Sequence, residues 1–109
     1  MALALNIFKT VTAVVSTNST EVYTSPVGYT AVVLLAQITN IATVSYDITL
    51  VHRRISTDTE ILKNYPISGK DTANLLSGKL VLESGDKLVL SGSNATNLKF
   101  IISILETLN

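Results

Sequence analysis

Residues Asn74 to Glu106 read NLLSGKLVLESGDKLVLSGSNATNLKFIISILE. Three short apolar runs are separated by clusters of Ser, Gly, Asp and Asn. Leu80 and Leu82 share one face of the first run, and Leu88 and Leu90 share one face of the second. Leu98, Phe100, Ile102 and Ile104 hold a single parity in the last. A repeat of two marks a strand with one buried face, because successive side chains leave a strand on opposite sides. The spacing predicts a closing β meander, with Ser84, Gly85 and Asp86 turning the chain between its first two strands.

Upstream, the same pattern recurs. Residues 4–16 combine Ile7, Val11, Val14 and Val15 with Thr10 and Thr12, and β-branched residues favour a pleated surface, so an N-terminal strand is expected. Glu21 to Thr24 forms a short strand ended by Pro26 and Gly28. Tyr29 to Ile41 is the longest apolar strand. Val44, Tyr46, Ile48 and Leu50 share one parity opposite Ser45, Asp47, Thr49 and Arg53, and Glu60 to Pro66 resumes as a strand. Pro66 cannot donate to a ladder, which places that strand at an edge or an end. Asp71 to Leu76 supports one helical turn at most. About eight strands at spacings of ~8–12 residues define the fold class: all-β, a single antiparallel β-sandwich, jelly-roll-like or immunoglobulin-like. Residues 1–109 form one domain on this reading, within the common size range of ~100–150 residues.

Composition removes several functions. Eight basic and eight acidic residues cancel, and only 15% of the chain is charged, so no nucleic acid is expected as a partner. With no cysteine, disulfides and thiolate metal sites are excluded. The longest unbroken apolar run, Ala31 to Ala36, is far short of the ~20 residues of a spanning helix, so no membrane is expected. The N-terminal run lacks a basic region ahead of its apolar residues and does not read as a signal peptide.

No polar constellation carries chemistry. His52 is the lone histidine, and its opposite parity to Asp47 sends the two side chains to different faces, which argues for a structural role. Glu83, Asp86 and Glu106 could form a hydrolytic carboxylate pair, but Asp86 after Gly85 reads as a turn residue. His52, Arg53 and Arg54 make a short basic patch at a strand end. Asn18 and Asn94 begin glycosylation-type triplets that read as turn composition. Catalytic residues, metal ligands and cofactors are therefore expected to be absent.

Residues 29–41 are apolar at both parities, with Ala31, Val33 and Leu35 on one and Val32, Leu34 and Ile38 on the other. A two-sheet sandwich covers one face of each strand, so the remaining aliphatic side chains form a candidate interface. Either a partner covers them, in a homo-oligomer or a lattice-bound subunit, or residues 4–16 fold over them as an internal lid.

The run from Gly78 to Leu88, with Ser103 to Glu106, resembles small β-sandwich virion proteins of tailed bacteriophages. Tyr23 to Pro26 and Ala31 to Asn40 also resemble that group, so the likeness runs over most of residues 22–106. It implies a non-enzymatic particle component, located in the virion and assembled in the host cytoplasm. Its expected role is capsid decoration or cementing, with a neck, collar, tail or baseplate station as the alternative. Expected partners are the major capsid protein or neck and tail proteins, with a homo-oligomer, a trimer on the decoration reading. A carbohydrate-binding module is a further reading, weakened by the lack of Trp and the dispersal of Tyr23, Tyr29, Tyr46 and Tyr65. A small hydrolase is the remotest.

Overall fold

The computed structural model describes residues 5–109. Residue 4, where the sequence starts its first strand, and most of the N-terminal apolar run lie outside them. Nine strands are present among the described residues: β1 (Asn6–Val14), β2 (Thr20–Thr24), β3 (Tyr29–Asn40), β4 (Tyr46–Arg54), β5 (Thr57–Ile67), β6 (Thr72–Asn74), β7 (Leu80–Leu82), β8 (Lys87–Gly92) and β9 (Leu98–Leu108). They form two antiparallel sheets packed face to face. One runs β1-β9-β3-β6 with β7 also on β3, and the other runs β2-β8-β4-β5.

β6 and β7 lie end to end along the same side of β3, pairing residues 37–39 and 31–33 respectively. Counted as one interrupted strand, they leave eight strands in two sheets of four. That order is a jelly roll, two Greek keys wrapped together. The sandwich expected from the sequence is present, and of its two variants the topology is the jelly roll.

The expected closing meander is not. β7 and β9 belong to one sheet and β8 to the other, so the chain crosses the core twice between residues 82 and 98. Period two reports which side of a strand is buried, and both sheets bury their inner sides identically, so parity does not say which sheet a strand joins. Two smaller expectations also change. The possible helical turn at 71–76 contains β6, which bonds to the edge of β3. Val44 precedes β4 and is exposed in the turn after β3, so it does not share the buried parity of Ile48 and Leu50. Pro66 lies in β5 at the outer edge of its sheet, as a residue without an N–H requires.

The core fills the space between the sheets. Ala31, Val33, Ile38, Leu98, Phe100, Ile102 and Ile104 point in from one side, and Ile48, Leu50, Leu88 and Leu90 from the other. At the far end, Gly69 packs its Cα against the backbone of Thr43 and Val44, where a Cβ would overlap the Thr43 carbonyl. Gly78 faces open space and needs no positive φ. Gly69→Ala should therefore destabilise the fold by about 1–3 kcal/mol through overpacking, whereas Gly78→Ala should be neutral or slightly stabilising. Urea denaturation midpoints of the two variants test the contrast.

Candidate interaction face and its polar anchors

The register assigns the outer surface of the first sheet residue by residue. Phe8 pairs with Leu105, Leu105 with Val32, and Val32 with Val81, so four apolar side chains run in one row across β1, β9, β3 and β7. Phe8 is 74% exposed and Val81 54%. Leu34 and Leu35 lie beside the row on β3, and Ile101 and Val14 are exposed further along the same surface. Apart from the exposed Lys99, which pairs with Val14 and Thr39, its remaining residues are uncharged: Thr10, Thr12, Ser103, Gln37, Thr39, Thr72 and Asn74, with Gln37 bonded to Asn74 and Thr39 to Thr72.

The outer surface of the second sheet is built differently. Arg53 forks onto Asp58 at 2.6 and 3.0 Å and approaches Glu21 at 3.7 Å, while Lys87 reaches Glu21 at 3.1 Å. The Arg53 hydrogen bond holds the Asp58 carboxyl below the usual carboxylate range. Charged pairs of this kind stay well solvated, so this face is suited to water. The sandwich has one charged side and one side of low charge crossed by an apolar row.

The expected interface residues divide between core and surface. Ala31, Val33 and Ile38 are fully buried between the sheets and are not available to a partner. Val32 is half-buried on the outer surface, and Leu34 and Leu35 are both exposed. The cause is a register shift between Val33 and Leu35 in the pairing with β9. A bulge adds one residue and reverses parity beyond it, so Leu35 moves outward and Ile38 inward. The internal lid is also ruled out over the described part of residues 4–16: β1 pairs edge-on with β9 and extends the sheet, leaving the outer surface uncovered. Phe8, Leu105 and Val81 were not anticipated from the sequence. Each has only polar residues two positions away along the chain, and the row exists only once the four strands are adjacent.

Two buried carboxylates hold one end of the sandwich. Glu106 on β9 accepts the Tyr23 hydroxyl from β2 in the opposite sheet, and its other oxygen lies 3.1 Å from the Lys9 ammonium on β1. Burial, reinforced by the Glu106 carboxylate, pushes the Tyr23 hydroxyl well above its ordinary value and keeps it a donor. Asp86 follows Gly85, whose φ of +83° closes the turn after β7. Arg54 grips its carboxylate through Nε at 2.9 Å and Nη2 at 2.8 Å, His52 Nε2 lies at 3.0 Å, and the Glu83 N–H donates at 2.9 Å. The Arg54 fork holds the Asp86 carboxyl well below the carboxylate range; His52 and the Glu83 N–H add to this against the opposing effect of burial. The acid beside His52 is thus Asp86 and not Asp47, and it is already saturated by Arg54. At the other turn, Asn94 accepts the N–H groups of Thr96 and Asn97 and acts as a turn residue.

A groove of about 740 Å³ opens between β5 and the segment joining β6 to β7, lined by Ile61, Leu62, Tyr65, Leu75, Leu76 and Leu80 among others. Tyr65 is its one aromatic wall. Among the described residues no helix is long and apolar enough to cross a membrane.

Two solved structures share this fold over nearly the whole chain. One is from the acidic stable capsid structure of Helicobacter pylori bacteriophage KHP30, with a TM-score of 0.58 and 15% identity, covering 96% of this chain and 89% of that one. The other is from the Bacillus endospore appendages, a novel family of disulfide-linked pili, with a TM-score of 0.55 and 12% identity, covering 100% and 97%. A pentameric capsid protein isolated from metagenomic phage sequences has a TM-score of 0.44 at 17% identity, covering 90% and 60%. No protein-family model matches the chain, and no curated protein sequence matches it. At these identities the shared property is the fold, and a phage capsid is among the places where it occurs.

Asp86 sets a testable pH dependence. Its folded carboxyl titrates below its unfolded one, so its stabilisation is complete above the ordinary carboxylate range and fades as pH falls below about 4. Asp86→Asn should cost roughly 2–3 kcal/mol at pH 7, because it leaves Arg54 and His52 without their shared partner. The gap between variant and wild-type melting temperatures should narrow on acidification below pH 4. A gap independent of pH would assign the loss to packing.

Proposed function

We propose that the chain is a non-enzymatic structural protein of a bacteriophage virion, decorating or cementing the capsid through protein–protein contacts. The observation that carries this reading is the sparsely charged outer face, with Lys99 its one charge in the paired register, and its apolar row Phe8, Leu105, Val32 and Val81. Three strands about 4.8 Å apart and ~30 Å long, with the interrupted edge of β6 and β7 beside them, make a face of roughly 500 Å². That is below the ~800 Å² per partner of a standard stable interface. Repetition of the contact over a symmetric shell lets a smaller face hold.

The jelly-roll fold shared with a phage capsid structure supports the particle assignment, although a fold alone does not assign a role. A neck, collar or tail station would use the same face on a different shell. The endospore-appendage likeness points to a self-assembling subunit too, but this chain has no cysteine with which to form disulfide links. The interface residues proposed are Val32, Leu34 and Leu35 from the sequence reading, joined by Phe8, Leu105 and Val81.

Mass spectrometry of purified particles should find the chain in the virion, and sedimentation with empty capsids but not with isolated tails should fix its station. Val81→Asp, on an exposed position of the row, should weaken capsid binding at least about tenfold, the loss of one interface hot spot. Asp58→Ala on the charged face should leave binding unchanged. Equal losses from both variants would move the contact off this face.

A further inference from the structure

We infer that β1 is an assembly edge, on which a second copy of this chain adds its own β1 in antiparallel pairing about a two-fold axis. A sheet edge exposes a row of unpaired N–H and C=O groups, and proteins usually protect such edges with charge, proline, bulges or shortness. Three of the four edges among the described residues are protected in this way. β5 carries Asp58, Glu60, Lys63 and Pro66, a left-handed Asn64 at φ 49°, and two register shifts against β4. β2 is five residues long, with a shift between Glu21 and Tyr23, and β6 and β7 have three residues each.

β1 has none of these devices. Asn6–Val14 is nine residues without Pro, Gly or irregularity in its pairing with β9. Its single charge, Lys9, is tied to Glu106.

The backbone geometry identifies the free groups. The Leu108 N–H donates to the Leu5 carbonyl at 2.8 Å, and the Val15 N–H to the Leu98 carbonyl at 2.9 Å. In the register of β1 on β9 these are directly opposed residues, so the odd-numbered residues of β1 bond inward. Asn6, Phe8, Thr10, Thr12 and Val14 therefore direct their N–H and C=O groups to the open edge.

The strand is self-complementary in one register. With the two-fold axis at Thr10, all nine residues pair: Thr10 faces its own copy, Phe8 the partner's Thr12, Asn6 the partner's Val14, and Lys9 the partner's Val11. Each hydrogen-bonded pair then joins two even-numbered residues, as the free groups demand. Moving the axis to Lys9 would oppose two lysines directly, and like charges so placed repel. Moving it to Val11 shortens the ladder to seven residues. At Thr10, Phe8 also reaches the partner's Val14 diagonally, covering two of the most exposed apolar side chains of the strand. A contact of the same patch with itself closes as a dimer, which differs from the threefold closure expected from the decoration reading.

The test uses the free protein and does not depend on any particle. Light scattering at rising concentration should show the mass going from 11.7 kDa to twice that value. Hydrogen exchange should show the amides of Phe8, Thr10 and Thr12 gaining protection in step, while those of Ile7, Lys9 and Val11 are protected at every concentration. Thr10→Pro removes an N–H that bonds to nothing among the described residues of one copy, and proline is tolerated at such edge positions. It should halve the mass of the dimer without changing the circular dichroism spectrum, and Thr10→Lys, which opposes two charges at the axis, should do the same. A wild-type protein that stays monomeric at its highest soluble concentration overturns the inference. So does a dimer that persists in both variants, or one that forms while the even-numbered amides remain unprotected.

Discussion

The carboxylate of Asp86 is the constraint on which the path of the chain depends. After β7 the chain must leave one sheet and enter the other, and Asp86 sits at that crossing. Its side chain is held by Arg54 and His52 at the end of β4, and by the Glu83 N–H of its own turn. Its backbone carbonyl accepts the Ser25 N–H at the end of β2, while the Gly85 N–H bonds the Ser25 carbonyl. One residue thus joins the ends of β2, β4 and β7 to the start of β8. An ionised carboxylate this deeply buried is stable only because every oxygen is occupied by donors, two of them from a guanidinium. Glu106, reached by Tyr23 from the opposite sheet and by Lys9, belongs to the same end of the sandwich, since it pairs with Ala31, which pairs with Leu82.

That arrangement explains what could and could not be read from the residues. The alternation in Leu98, Phe100, Ile102 and Ile104, or in Ile48 and Leu50, is imposed by a single local fact, that one side of each strand is dry. It was therefore legible, and with it the sandwich. The sheet to which each strand belongs is a non-local fact. Leu82 and Leu88 look like the two arms of a hairpin because they flank a Ser-Gly-Asp turn, yet they reach the core from opposite sides. The information that separates them lies in Arg54, thirty-two positions before its partner Asp86. A carboxylate after a glycine carries no local mark that distinguishes a solvated turn from a buried anchor.

The candidate face was legible in the same limited sense. The excess of apolar residues in β3 signalled that something must cover its second side, and Val32, Leu34 and Leu35 do lie there. The row that crosses the sheet was not legible, because Phe8, Val32, Val81 and Leu105 are distant in the chain and ordinary in their own strands. Its significance comes from contrast. The opposite outer face carries Glu21, Arg53, Asp58 and Lys87 in ion pairs, and solvated pairs of that sort add little stability, so their presence there reflects exposure to water. Charge is nearly excluded from the other face. A chain with only 15% charged residues has confined most of them to one side and to one end.

The bulge in β3 connects the face to the fold. Without the extra residue, the parity of Ala31 and Val33 would continue through Leu35 and Gln37, burying a polar amide and exposing Ile38. With it, Ala36, Ile38 and Asn40 turn inward, and both leucines remain outside. Asn40 is then placed to close the end of the sandwich opposite Asp86: its Nδ2 donates to the carbonyls of Val44 and Ile67, and its Oδ1 accepts the Ala42 N–H. Those bonds fix the turn between β3 and β4 and secure the last residue of β5. The bulge also falls between the stretches of β3 that pair with β7 and β6, opposite the interruption of that edge strand. A single inserted residue therefore satisfies a buried amide, anchors the edge of the second sheet and leaves two leucines on the surface. The exposed apolar face is a consequence of how this sandwich closes, and removing it by straightening β3 would undo the turn that Asn40 holds.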